Sequence, residues 1–123
     1  MIEQITISGI NNYHVDTHTD KYIRRRIGKL SKFIPRHARK SVTAKVTIRE
    51  VNKSHGNKYE VEVTINLPHK NLTAKDESSN VLAAIDILEA KLAIQAKKYK
   101  VDQLPHVGKR GLWARLKRTP KND

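Results

Sequence analysis

The 123-residue sequence has no cysteine, and that absence excludes disulfides, thiolate metal sites, redox pairs and cysteine nucleophiles together. Aromatics are scarce. Four tyrosines, one tryptophan and one phenylalanine are too few for the stacking platform on which proteins hold single-stranded nucleic acid. No stretch approaches the roughly 18 apolar residues of a spanning helix. Residues 1–10 alternate polar and apolar side chains without a basic segment leading into an apolar run, so no signal peptide is read there and a soluble, cytoplasmic protein is expected. Acids are also short: 12 Asp and Glu face 25 Lys and Arg, a formal charge of +13. Net charge informs association rather than architecture, and an excess of this size points to a polyanionic partner. At 37% hydrophobic residues the chain can still build one core, and its length holds one full domain.

Periodicity sets the expected elements. Ile5 and Ile7 alternate with polar residues in a strand that ends at Gly9. From Thr17 to Ile34 the period changes, and Ile23, Ile27, Leu30 and Ile34 fall on one side of a helix that Asp16 or Thr17 can cap and Pro35 stops. Val42, Ala44, Val46 and Ile48 alternate with Thr43, Lys45, Thr47 and Arg49, the clearest strand in the chain. A turn over residues 52–57 leads into a second strand through Tyr59, Val61, Val63, Ile65 and Leu67. A turn at residues 68–71 precedes a short edge strand at Leu72 and Ala74. A second helix, capped by Ser78 or Ser79, carries Val81, Ile85, Leu88, Leu92, Ala96 and Tyr99 on one stripe. The order β-α-β-β-β-α predicts an α/β (α+β) two-layer sandwich: a four-stranded mixed sheet, its first two strands parallel, with both helices on one face. Residues 1–100 form the expected domain and 101–123 a basic C-terminal tail.

Charge is concentrated. Between Lys21 and Arg49 lie eleven Lys or Arg residues and no acid. On a helical wheel Lys21, Arg25, Lys29 and Lys32 fall within about 80° of one another, opposite the isoleucine stripe, with Arg24 and Arg26 flanking it. The second helix adds Lys91, Lys97, Lys98 and Lys100. A solvated helix face normally mixes signs, whereas a face of one sign raises self-repulsion that a ligand offsets. If the helices lie side by side, their outer faces merge into one basic surface suited to phosphates of folded RNA, and guanidinium groups match phosphate bidentately.

Catalytic constellations are missing. His14 and His18 have the i, i+4 spacing of a metal-binding pair, but no Glu follows His14 and no third ligand is evident, so they read as surface residues near a helix start. Glu60 and Glu62 share a strand face, where Lys45 and Arg49 opposite make them a solvated sheet face rather than an acid/base pair. No enzyme activity, metal or cofactor is expected.

The element order also resembles a double-stranded-RNA-binding domain with an extra first strand, which would make the chain a general structured-RNA-binding module or RNA chaperone. In that family, however, the second helix opens with a lysine cluster, where this chain reads Asp76-Glu77-Ser78-Ser79-Asn80. At Tyr59-Glu60-Val61-Glu62-Val63-Thr64-Ile65 and Ala83-Ala84-Ile85-Asp86, followed by Lys91-Leu92, Gln95, Lys98 and Lys100, the chain resembles the ribosome hibernation-promoting factor family, including the stationary-phase ribosome-associated inhibitor. In the first helix the family's Lys-Leu pair falls on Lys29-Leu30 and its preceding basic position on Arg26. The resemblance covers residues 2–100.

It implies a bacterial stress-response protein that binds the small ribosomal subunit in the channel for messenger and transfer RNA, inhibits translation by occupying it and stabilises inactive ribosomes. The rRNA contacts it carries over are Arg26, Lys29, Lys91, Lys98 and Lys100; the wheel alone adds Lys21, Arg24, Arg25 and Lys32. Ribosomal proteins are possible further partners. No DNA or membrane partner is expected, and off the ribosome the chain is expected to be a monomer.

The chain departs from the family pattern in places. Asp20 stands where the family carries a basic contact, and Ile94 replaces an arginine. The second helix thereby gains a second apolar line of Ala83, Ile87, Ala90 and Ile94 opposite its core face. Two apolar faces call for two neighbours. Contact with the first helix, a ribosomal protein, or the tail through Leu104, Leu112, Trp113 and Leu116 are the alternatives. The 23 residues after Lys100 are too few for the further domain by which long family members pair ribosomes, and this tail is basic rather than acidic. Arg110, Trp113, Arg115, Lys117 and Arg118 are its expected contacts to rRNA or ribosomal protein.

Overall fold

The computed structural model describes residues 2–10, 13–53 and 56–102. In chain order these form β1 (Gln4–Ile10), α1 (Thr17–Gly28), a 3-10 helix (Lys29–Phe33), α2 (Arg36–Arg39), β2 (Thr43–Lys53), β3 (Gly56–Leu67), β4 (Lys70–Ser78) and α3 (Val81–Asp102). The strands lie side by side in the order β1-β2-β3-β4. β1 runs parallel to β2 with Ile5 opposite Ala44, and the other two pairs are antiparallel. This is the expected mixed sheet with helices on one face. Alternation puts Val46, Ile48, Val61, Val63, Ile65 and Leu72 beneath the helices, all fully buried against Ile23, Ile27, Ile85, Leu88 and Leu92. Each such side chain contributes about 1.5–3 kcal/mol on burial, which makes this layer the source of the fold's stability.

The first helix is shorter than its apolar period implies. Asp16 caps α1 by accepting the Thr19 N–H at 2.7 Å, and that bond holds the Asp16 carboxyl below its ordinary titration range. The helix then tightens after Gly28, whose carbonyl accepts the Ile2 N–H at 3.1 Å. Glycine is a poor helix former, and the 3-10 turn that follows keeps Leu30 and Ile34 pointed into the core. Pro35 does end this segment, with Ile34 extended before it. The four-residue α2 beyond it buries Ala38 and was not foreseen by the periodicity.

Other boundaries differ as well. β4 spans nine residues rather than a short edge. The cap of α3 is Asn80 rather than Ser78 or Ser79: its side-chain oxygen accepts the N–H groups of Leu82 at 2.9 Å and Ala83 at 3.3 Å, while Ser78 accepts the Asn80 N–H. Glu60 sits opposite Arg49 as expected, but Glu62 faces Thr47 and Lys75, and Lys45 faces Thr64. Each edge strand has one carbonyl met by a helix side chain. Arg24 donates to the Ile5 carbonyl on β1 at 2.8 Å, and Gln95 donates to the Thr73 carbonyl on β4 at 3.0 Å.

Candidate nucleic-acid interface

The helical stripe that buries Ile23 and Ile27 leaves Lys21, Arg25, Lys29 and Lys32 exposed on the far side of the first helical segment. They meet water in one row. Arg25 lies over the Tyr22 ring at 5.5 Å, and His18, Lys21, Tyr22 and Arg25 border a shallow depression. None of these four cations has an acidic partner among the described residues. Nor do Lys98, which is exposed, or Lys100, which is half-buried near the end of α3.

Three polar contacts fasten α1 to α3. The Arg26 guanidinium reaches Glu89 at 2.7 Å and Asp86 at 3.2 Å, and the Tyr22 hydroxyl donates to Asp86 at 2.6 Å. That last bond pushes the Tyr22 phenol above its ordinary titration range, because ionising it would remove the proton Asp86 accepts. Arg26 Nε is buried without a hydrogen-bond partner among the described residues, while the side chain as a whole stays 31% exposed. Farther along, the ammonium groups of Lys32 and Lys97 lie 5.1 and 5.0 Å from the same Phe33 ring. The two helices therefore stand side by side, and their cationic faces meet at Phe33.

Other cations of the two helices are tied to the fold. Arg24 pairs with Asp20 at 2.7 Å besides its bond to β1, and Lys91 lies 4.0 Å from Asp76. Arg110, Trp113, Arg115, Lys117 and Arg118 lie outside the described residues, as do Leu104, Leu112 and Leu116. The exposed row supplies fixed positive charge and one guanidinium fork, at Arg25, which can neutralise and orient a phosphate backbone. His14 and His18 are both exposed, and no group of metal-ligating side chains occurs among the described residues. No helix among them is long and apolar enough to cross a membrane.

The seam of Tyr22, Arg26, Asp86 and Glu89 escaped the sequence reading, which counted basic residues on α1 without an acid to balance them. One signal was present: Asp86 and Glu89 are three residues apart on α3, and therefore on one face. Nor does α1 cover the second apolar line of α3, since Ile87 is 45% and Ile94 69% exposed with both helices in place.

Known proteins agree with this architecture. The N-terminal domain of Thermus thermophilus Protein Y superposes with a TM-score of 0.67 at 21% identity, covering 79% of this chain and 99% of that one. A ribosomal subunit interface protein from Coxiella burnetii superposes with a TM-score of 0.62 at 22% identity, covering 80% and 98%. At these identities the likeness is one of fold. No protein with a curated description matches. Residues 5–103 match the family described as sigma 54 modulation protein / S30EA ribosomal protein. The chain belongs to that ribosome-associated family, which is not one of enzymes, and the resemblance to the hibernation-promoting factor family is borne out.

Proposed function

We propose that the protein is a cytoplasmic ribosome hibernation factor. It binds rRNA of the small subunit in the channel for messenger and transfer RNA and inhibits translation by occupying it. The observation that carries this reading is the exposed row of Lys21, Arg25, Lys29 and Lys32, without an acidic partner among the described residues, beside a second helix whose Lys97 meets Lys32 at the Phe33 ring and whose Lys98 and Lys100 are likewise without one. Lys21, Arg25, Lys29, Lys32, Lys98 and Lys100 are the direct phosphate contacts, and Lys91 joins them once its long contact to Asp76 exchanges for a phosphate. Arg24 and Arg26 act by positioning, the first against β1 and the second against α3. No chemistry is required. A rigid cationic wedge excludes the ligands whose phosphate-lined site it fills, and releasing counterions from about six phosphates makes binding steeply salt-dependent, weakening it about a thousandfold between 50 and 200 mM salt.

Sedimentation through a sucrose gradient at physiological salt tests the reading. The protein should travel with small subunits and far outcompete its own binding to naked duplex RNA. The double variant Arg25→Glu with Lys29→Glu should stay at the top of the gradient with an unchanged melting temperature. Equal affinity for duplex RNA would assign the chain to general RNA binding instead.

A further inference from the structure

Two of the three large hydrophobic side chains exposed among the described residues, Ile87 and Ile94, lie on one line of α3. At 100° per residue Ala83, Ile87, Ala90, Ile94 and Val101 fall within about 60° of one another, on the side away from the sheet. Val101 differs from the rest. It is only 1% exposed, yet it stands outside the core cluster that includes the other buried residues of α3. The C-terminal end of the line is thus already a packing surface, and the segment nearest to it is the one that leaves α3 at Asp102.

We propose that the C-terminal tail folds back along α3, so that Leu112, Trp113 and Leu116 cover Ile94 and Ile87. Reach allows it. Ile94 lies about 12 Å and Ile87 about 22 Å back from the end of α3 at 1.5 Å per residue, while the ten residues 103–112 span up to about 33 Å extended. Pro105, Gly108 and Gly111 supply the reversal. Leu112, Trp113 and Leu116 have the i, i+1, i+4 spacing of one apolar face, and Arg115 and Arg118 fall away from it. A tethered segment sits at an effective millimolar concentration, an advantage a separate copy lacks. A second copy would also bring Lys91, Lys97 and Lys98 against their own counterparts, whereas on the docked tail Arg115 and Arg118 fall on the side away from the line. Docking turns the apolar outer face of α3 into a cationic one continuous with the α1 row.

Trp113 is the chain's one tryptophan, so the intact protein reports on itself. Its emission should lie to the blue of the urea-unfolded chain, with severalfold weaker quenching by iodide. Ile87→Ser with Ile94→Ser should move the emission to the unfolded position without changing the far-ultraviolet dichroism. Leu112→Ser with Leu116→Ser, which leaves the described fold untouched, should do the same. Wild-type emission already at the unfolded position would overturn the proposal, as would blue emission that survives both double variants. A blue shift lost on dilution, with sedimentation as a dimer, would assign the line to a second copy and overturn it equally.

Discussion

Replacing Arg26 by methionine tests whether this guanidinium holds the helices together rather than meeting phosphate. Methionine keeps most of the stem and removes the bonds to Glu89 at 2.7 Å and Asp86 at 3.2 Å. Hydrogen bonds to charged groups contribute about 1.5–3 kcal/mol, but Arg26 is 31% exposed and Asp86 46%, so water screens part of that. Two carboxylates left facing the seam add a repulsive cost. The expected loss is about 1–2 kcal/mol, which for a domain of this size lowers the melting temperature by about 5–10 °C. A double-mutant cycle with Glu89→Gln should return a coupling of about 1 kcal/mol. Salt titration of ribosome binding supplies the contrast. Lys29→Met should reduce the slope of log affinity against log salt by about 1 at unchanged melting temperature, whereas Arg26→Met should leave the slope alone. An unshifted melting temperature in Arg26→Met, or a slope that falls as it does for Lys29, would refute the division between structural and binding cations.

Two further outcomes follow from local geometry. A methyl group on Gly9 would run into the carbonyl oxygen and ring of Tyr13, so Gly9→Ala should cost about 1–3 kcal/mol and weaken the near-ultraviolet signal of the Tyr13–Tyr59 edge contact; an unchanged thermal transition would contradict this. Because Asp16 titrates lower in the folded chain than in the unfolded one, its stabilisation is complete above about pH 4 and is lost as the pH falls through its folded pKa. Asp16→Asn keeps a cap without the titration, so the wild type should lose melting temperature faster on acidification, and parallel curves would count against the assignment.

Much of the fold was legible because its elements are long and strongly patterned. Ile23, Ile27, Leu30 and Ile34 mark the first helical segment, and the period-two runs of β2 and β3 are unmistakable. An i, i+4, i+7, i+11 spacing is met by an α-helix and by one that tightens to 3-10 after Gly28, so the break was invisible. α2 is one turn long and has no period to read. The cap of α3 moved to Asn80 because Ser78 serves the Asn80 N–H instead of the helix. In the candidate interface the row of Lys21, Arg25, Lys29 and Lys32 follows from the wheel. Which cations are already paired does not, because the partners of Arg26 lie about sixty residues away on α3 and only the packing of the helices brings them together.

Competition on purified small subunits tests the central claim most directly. With a fluorescent transfer RNA bound in the presence of message, rising concentrations of the protein should displace it completely, and the Arg25→Glu, Lys29→Glu variant should displace none. Full occupancy of the subunit by the protein with the transfer RNA still bound would contradict the account.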